Sequence, residues 1–317
     1  MARFILRRCI MTLVMLLVMS AVIYSLIGLM PGDPLDVMLA SSPGTTPEVV
    51  AHLRSIYGLD QPLPLRYWHW LIAALGGDFG FSRAHAQPAL QVLAPALGQT
   101  CMLMLSAFTL SVIAAMVFGI AAALRPGGAL DGVISIAAFA GISVPVFWLA
   151  LVLILVFAVN LHWLPASGTP ALGERGFANH LRYLVMPVLT LALFYTGQFS
   201  RFVRAAMIET LRMDHVRTAR AKGAPERRVV LVHALRNAMI PVVTVMALSF
   251  GTLFSGALVT ETMFAIPGMG KTIYDAILGN DYNLALIGLL FATLVTLLSN
   301  LAADLAYCWL DPRIALT

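Results

Sequence analysis

The stretch 97-LGQTCMLMLSAFTLSVIAAMVFGIAAAL-124 runs for 28 residues without one Asp, Glu, Lys or Arg. A helix rises about 1.5 Å per residue, so about 20 apolar residues cross a hydrocarbon layer about 30 Å thick. This segment is therefore long enough to span a membrane. Five more runs share the property: Cys9 to Gly32, Gly132 to Val159, Tyr183 to Ser200, Asn237 to Thr260 and Leu284 to Leu310. The fourth extends about a turn past Arg201, and the sixth encloses a single acid, Asp304. Across all 317 residues, 60% are hydrophobic and 11% charged, against about 25% charged in a soluble domain. So few charges cannot cover a water-facing surface, and the reading is an all-α membrane protein with six spans.

Arg3, Arg7 and Arg8 precede the first run, as they would in a signal peptide. Its apolar core exceeds the roughly 7–15 residues of a signal segment, and no A-x-A site follows. It reads as a retained span, closing at Met30-Pro31-Gly32-Asp33. Cys9, Cys101 and Cys308 lie in apolar surroundings without metal-ligand spacing, and an odd count fits no disulfide framework. They read as small hydrophobic side chains.

Charge orients the spans. The segment Arg201 to Arg236 holds nine Lys/Arg and three acids, a net +6 in a chain whose total is +5. Cationic loops stay in the cytoplasm. Placing this one inside puts both termini inside too, with fourteen Lys/Arg on that side and six on the other. A long outer segment then follows the first span, from about Pro31 to Pro95. Within it Thr46-Pro47-Glu48 has the pattern of a helix start and Gly58 that of its stop. Tyr67, Trp68 and Trp70 cluster as aromatic side chains do at a membrane–water boundary. The organisation is thus residues 1–95, a first span with an outer cap, and residues 96–317, a five-helix core.

The core carries a cytoplasmic loop at about 207–236. It reads as two short helices: the first stops at Gly223, and the second starts after Pro225 with Glu226 in its first turn. Thr218, Ala219 and Ala221 are small, and Arg217, Arg220 and Lys222 ring them with positive charge. A small-faced helix with a basic rim suits docking into a groove on an acidic or polar partner. A plain solvated loop obeying the positive-inside rule has the same composition.

The pattern of this loop resembles the signature of binding-protein-dependent ABC importer permeases, in which E-A-A-x-x-x-G is followed after about nine residues by I-x-L-P. Arg217-Thr218-Ala219 stands at the E-A-A position, Gly223 at the glycine, and His233-Ala234-Leu235-Arg236 at I-x-L-P. The glutamate and the proline are absent. R-T-A-R-A-K-G followed by H-A-L-R-N-A-x-I-P is similar instead to the dipeptide/oligopeptide/nickel branch. Pro31-Gly32-Asp33-Pro34, Tyr57-Gly58-Leu59-Asp60-Gln61-Pro62, Gly77-Asp78-Phe79-Gly80-Phe81-Ser82, Glu261 to Gly270 and Asp311-Pro312-Arg313 resemble further motifs of that branch. The resemblance spans the whole chain. It implies a bacterial inner-membrane subunit that imports di- or oligopeptides, pairs with a second homologous permease, and works with two cytoplasmic ATPase subunits and a periplasmic binding protein. It implies ATPase coupling through Arg217, Thr218, Ala219, Arg220, Lys222, Gly223 and His233, with a bulky residue at Ala219 uncoupling transport. Nickel, glutathione-like molecules and sugars remain alternative cargoes.

No cofactor, metal centre or nucleic-acid partner is indicated. The seven histidines are scattered, with no pair at i, i+4 beside a carboxylate. Ala265 to Thr272 nearly matches the phosphate-binding G-x-x-x-x-G-K-[ST] loop, but lies between two spans rather than between a strand and a helix. Asp304 calls for a partner arginine or a wet vestibule. Ser249, Gly251, Thr252, Ser255 and Gly256 fit close helix packing; Ser249, Thr252 and Ser255 fit a translocation path as well. An ion-coupled transporter is disfavoured by few buried charges and no inverted repeat. An intramembrane enzyme is disfavoured because no Ser/His/Asp, H-E-x-x-H or paired-Asp arrangement lies on a span.

Overall fold

The computed structural model describes residues 2–29, 60–170 and 176–310. The motifs at 30–59 and 311–317, including the helix expected after Thr46, lie outside the described residues. Long apolar runs become long helices: α1 (Ala2–Gly28), α3 (Ala89–Leu124), α6 (Phe177–Leu211), α9 (Leu235–Met263) and α11 (Tyr282–Leu310). Each contains a stretch apolar enough to cross a membrane. The third run of the sequence does not form one rod. It folds as α4 (Ala129–Ser143) and α5 (Val146–Leu153), which continues as a π-helical segment over Ile154–Asn160. The two halves meet at 102°. Pro145 explains the break, since a proline disfavours helical geometry in the residue before it, and Val144 is extended. The described residues thus give five crossing helices, or six if the bent pair counts as one crossing.

Shorter elements decorate the ends: α2 (Leu63–Leu75), α7 (Asp214–Ala221), α8 (Glu226–Arg228) and α10 (Met269–Leu278). The all-α expectation needs one addition, a two-residue antiparallel pair, β1 (Phe81–Ser82) with β2 (Gln87–Pro88). Ser82 Oγ donates to Asp281 Oδ2 at 2.6 Å, and Asn283 donates to the Phe81 carbonyl at 3.1 Å. The hairpin is thereby fastened to the turn between α10 and α11. The Tyr67–Trp70 cluster is only partly interfacial. Tyr67 and Trp70 pack on Tyr24 of α1, and the Tyr67 hydroxyl lies 2.7 Å from Ser20 Oγ, whereas Trp68 is exposed.

Small residues set the helix spacing. A Cβ on Gly197 of α6 would stand 2.5 Å from the Ala138 carbonyl of α4, and one on Gly119 of α3 would stand 2.6 Å from Val203. Such close backbone approach is how helices gain packing energy where lipid removes the hydrophobic drive. The faces turned away are apolar and open: Leu13, Val14 and Val18 on α1, and Val133, Ile136 and Phe139 on α4. Backbone groups there are satisfied within the helices, as a hydrocarbon surrounding requires.

The fold separates two ends. At one lie the turn Arg125–Gly128, α7, α8 and the pair Arg8–Asp304, 2.9 Å apart, which supplies the partner arginine expected for that acid. At the other lie the hairpin, α10 and Trp163.

Candidate functional site

The basic end is built on two helices that overshoot any bilayer. Helix α6 has 35 residues, about 52 Å of rise, so its last turns project beyond a 30 Å layer. It ends at Leu211, Met213 is extended, and α7 starts at Asp214. Helix α7 stops as the sequence foretold. Gly223 has φ +79°, a conformation that favours glycine, and the Gly223 and Ala224 N–H groups cap the Arg220 and Ala219 carbonyls.

The helical periodicity of α7 sorts its residues. Val216 and Ala219 are buried, Ala219 at 8% exposure, and pack toward the π-helical segment Val229–Ala234. Arg217, Thr218, Ala221 and Lys222 are exposed. The small-residue face of the sequence is therefore split: Thr218 and Ala221 are available to a partner, while Ala219 seats α7 on the chain itself. The turn is closed by Arg220, whose Nη2 and Nε donate to Glu226 at 2.7 and 3.2 Å. That hydrogen-bonded carboxylate raises the Arg220 pKa above its ordinary value, with burial opposing and Coulomb attraction adding. His233 is half-buried. Its carbonyl lies 3.2 Å from His215 Nε2, which is also 3.0 Å from Asn237 Nδ2. This knot joins α7 to the first turn of α9.

A second clamp was not foreseen. Arg204 of α6 donates through Nε and Nη2 to the two carboxylate oxygens of Asp131 at 2.5 and 2.7 Å. The Gly127 N–H donates to the same carboxylate at 2.8 Å. Two-pronged arginine–carboxylate pairs fix geometry as well as energy. This one holds the Arg125–Gly128 turn against α6. Arg204 entered the sequence reading only as one of many loop charges; its signal was a lone acid, Asp131, at the head of an otherwise uncharged span. Replacing Asp131 by Asn, or Arg204 by Gln, is expected to lower the unfolding midpoint in detergent. The exchanged pair Asp131→Arg with Arg204→Asp is expected to recover part of the loss, because the interaction is between the two charges. A midpoint unchanged in both single variants contradicts this.

The span residues fall unevenly. Ser249 is buried and donates to the Val245 carbonyl. Thr252 is exposed and meets the Tyr195 hydroxyl at 3.4 Å. The Ser255 side chain lies outside the described residues. The phosphate-loop look-alike is filled by a carboxyl group of the chain itself. Glu261, fully buried, accepts from Thr100 Oγ1 at 2.5 Å and from the Lys271 N–H at 3.0 Å, while Thr100 Oγ1 accepts from the Met269 N–H at 2.8 Å. The carboxylate sits where a phosphate would, at the start of α10.

Two family models match: the binding-protein-dependent transport system inner membrane component over residues 115–316, and the N-terminal portion of such a membrane component over residues 1–103. The chain is 38% identical to a probable peptide ABC transporter permease protein, y4tP, of Sinorhizobium fredii, covering 98% of each. It is 36% identical to the glutathione transport system permease protein GsiC of Salmonella choleraesuis and 33% identical to the oligopeptide transport system permease protein AppB of Bacillus subtilis, each covering 99% of both chains. Among solved structures, the crystal structure of an amino acid ABC transporter with histidines aligns with a TM-score of 0.53 at 12% identity, covering 68% of this chain and 93% of that one, which speaks to fold alone. Apolar crossing helices, a self-capped basic helix at one end and full-length similarity of this kind lead to one assignment: the chain belongs to the binding-protein-dependent transport system inner membrane component family, as a multi-pass inner-membrane permease subunit of an ABC importer and not an enzyme.

Proposed function

We propose that the chain carries di- or oligopeptides inward, and that α7 is the element through which separate ATPase subunits drive it. The observation that carries the mechanism is the seating of α7. Its inner face is bonded to the base of α9, and its outer face presents Arg217, Thr218, Ala221 and Lys222 with no cover among the described residues. A rigid lever with an uncovered small and basic face has the form of a docking element. The three relatives named above supply the cargo class, since glutathione is itself a tripeptide.

In this reading the basic end is cytoplasmic, by the charge asymmetry of the loops, and both termini lie there. Residues 1–95 add a span and an outer cap to the core of residues 96–317. A second homologous permease faces this one across the pathway, and a periplasmic binding protein delivers cargo at the hairpin end. ATP binding closes the two ATPases, α7 moves with its groove, and α6 and α9 tilt with it. Arg220 and Gly223 keep the lever's end in shape, and His233 ties it to α9. The pathway then switches between two states that nucleotide and cargo both bias.

The test is to co-express the chain with its ATPase and binding-protein partners, purify the complex, and reconstitute it with trapped ATP. Short peptides are expected to stimulate hydrolysis and to accumulate inside, with vanadate abolishing uptake and ionophores leaving it intact. Uptake that follows an ion gradient without ATP would refute the proposal.

A further inference from the structure

Helix α6 packs on α3, α4, α5 and α9, yet toward its inner end one face between α4 and α9 stays open. On one side Gly197 lies against Ala138 and Ile142 of α4, and Arg204 is clamped to Asp131. On the other, Tyr195 meets Thr252, and Leu191 touches Gly256, both on α9. Successive residues are about 100° apart around a helix. Gln198 and Arg201 therefore point into the gap between α4 and α9. Gln198 is half-exposed, and Arg201, Phe202 and Ala205 are exposed. Neither Gln198 nor Arg201 has a side-chain hydrogen-bond or ion-pair partner among the described residues.

This face is not built for lipid. An amide and a guanidinium without partners are costly in hydrocarbon. By contrast, Leu193, exposed on the side of α6 toward α4, is apolar. Arg201 is also no ordinary boundary charge. It sits one turn, about 4.5 Å, deeper than Arg204. A helical side chain leans toward its helix N-terminus, which here is the hairpin end, so the Arg201 stem starts toward the middle of the bilayer. Thr252 and Leu248 are exposed on the facing side of α9. Because α6 and α9 run in opposite directions, Gln198 and Leu248 each lie about one turn inward of the Tyr195–Thr252 contact.

We propose that Gln198, Arg201 and Thr252 line a water-filled track along the α6–α9 seam, and that Arg201 receives the carboxylate of the passing cargo. The carboxylate assignment rests on the peptide reading given above; the aqueous track does not. A guanidinium pairs with a carboxylate through two parallel hydrogen bonds, and Gln198, one turn away, offers both a donor and an acceptor for a peptide bond.

Two measurements on the reconstituted complex test this. In a chain whose three cysteines are replaced by alanine, Gln198→Cys, Arg201→Cys and Leu193→Cys are treated with a charged, membrane-impermeant thiol reagent. Reaction at 198 and 201 but not at 193 is expected; no reaction at 198 and 201 overturns the track whatever the cargo. Uptake is then compared for a tripeptide with a free C-terminal carboxylate and for its C-terminal amide. Arg201→Gln is expected to lower uptake of the free acid about tenfold or more while sparing the amide, and Arg201→Lys to retain part of it. An equal fall for both peptides, or no fall, overturns the role of Arg201. A native complex that takes up neither peptide refutes the peptide reading instead and takes the carboxylate assignment with it, leaving the thiol result to decide the track.

Discussion

Gly270→Ala is expected to leave little folded permease. A Cβ at that position would lie 2.7 Å from the Leu258 Cα and 2.9 Å from Glu261 Oε2. The first obstacle is backbone inside a spanning helix and cannot swing aside. The second is a fully buried carboxylate whose hydrogen bonds from Thr100 and the Lys271 N–H hold α3, α9 and the start of α10 together. Overpacking a core costs about 1–3 kcal/mol. Freeing a buried polar group from its donors adds about 1–3 kcal/mol, and more when that group is charged. The sum, about 2–6 kcal/mol, is a large part of a typical stability of about 5–15 kcal/mol. Fluorescence-detected size exclusion of the detergent extract should show loss of the monodisperse peak, and surviving protein should unfold at a lower temperature. Glu261→Gln should fall between the two, because its amide turns an NH2 toward groups that already donate. A Gly270→Ala protein with the native unfolding midpoint would mean that α10 is not pinned by this carboxylate.

How much of this was legible in the sequence depends on what each residue answers to. Spans were legible because the bilayer imposes a length and a polarity on every crossing. The stop at Gly223 was legible because a left-handed residue is needed there and glycine supplies it. The bend at Ser143–Pro145 was not, because residues 132–159 are apolar on both sides of it and hydropathy does not report direction. Pro145 was the sole clue. Helix ends were misjudged for a related reason. Helix α3 begins at Ala89 rather than near Leu97, and α6 reaches Leu211, because a helix continues wherever its backbone is satisfied and not only where lipid is. The anion nest at Gly270 was visible as a motif, but its occupant was not. Glu261 is nine residues upstream, and only the turn at Ala265, with φ +49°, brings it back. Pairings such as Arg204 with Asp131 span 73 residues, and no local pattern encodes them.

Thr218→Trp is expected to abolish transport in a subunit that is otherwise sound. Thr218 is exposed on the outer face of α7, and its hydroxyl bonds only to the Asp214 carbonyl of its own helix. An indole there disturbs nothing within the chain but wedges open any groove in which α7 docks. Loss of one central contact in a docked interface costs about 2 kcal/mol or more, which exceeds the 1.4 kcal/mol of a tenfold change in affinity. Insertion, detergent stability and the unfolding midpoint should match the native protein, while recovery of ATPase subunits on purification and ATP-driven uptake should each fall by about tenfold or more. Ala219→Trp separates this account from one in which the whole small face docks. Ala219 is buried on the side of α7 that packs on the π-helical segment Val229–Ala234, so tryptophan there should lower the unfolding midpoint before any partner is present. Were Ala219→Trp as stable as the native subunit and inactive, and Thr218→Trp fully active, the docking face of α7 would be the opposite one, and α7 would have to detach from α9 to reach its partner. The knot of His215, His233 and Asn237 holds it against that motion. The two tryptophans therefore decide between a lever carried rigidly on α9 and a flap that opens from it.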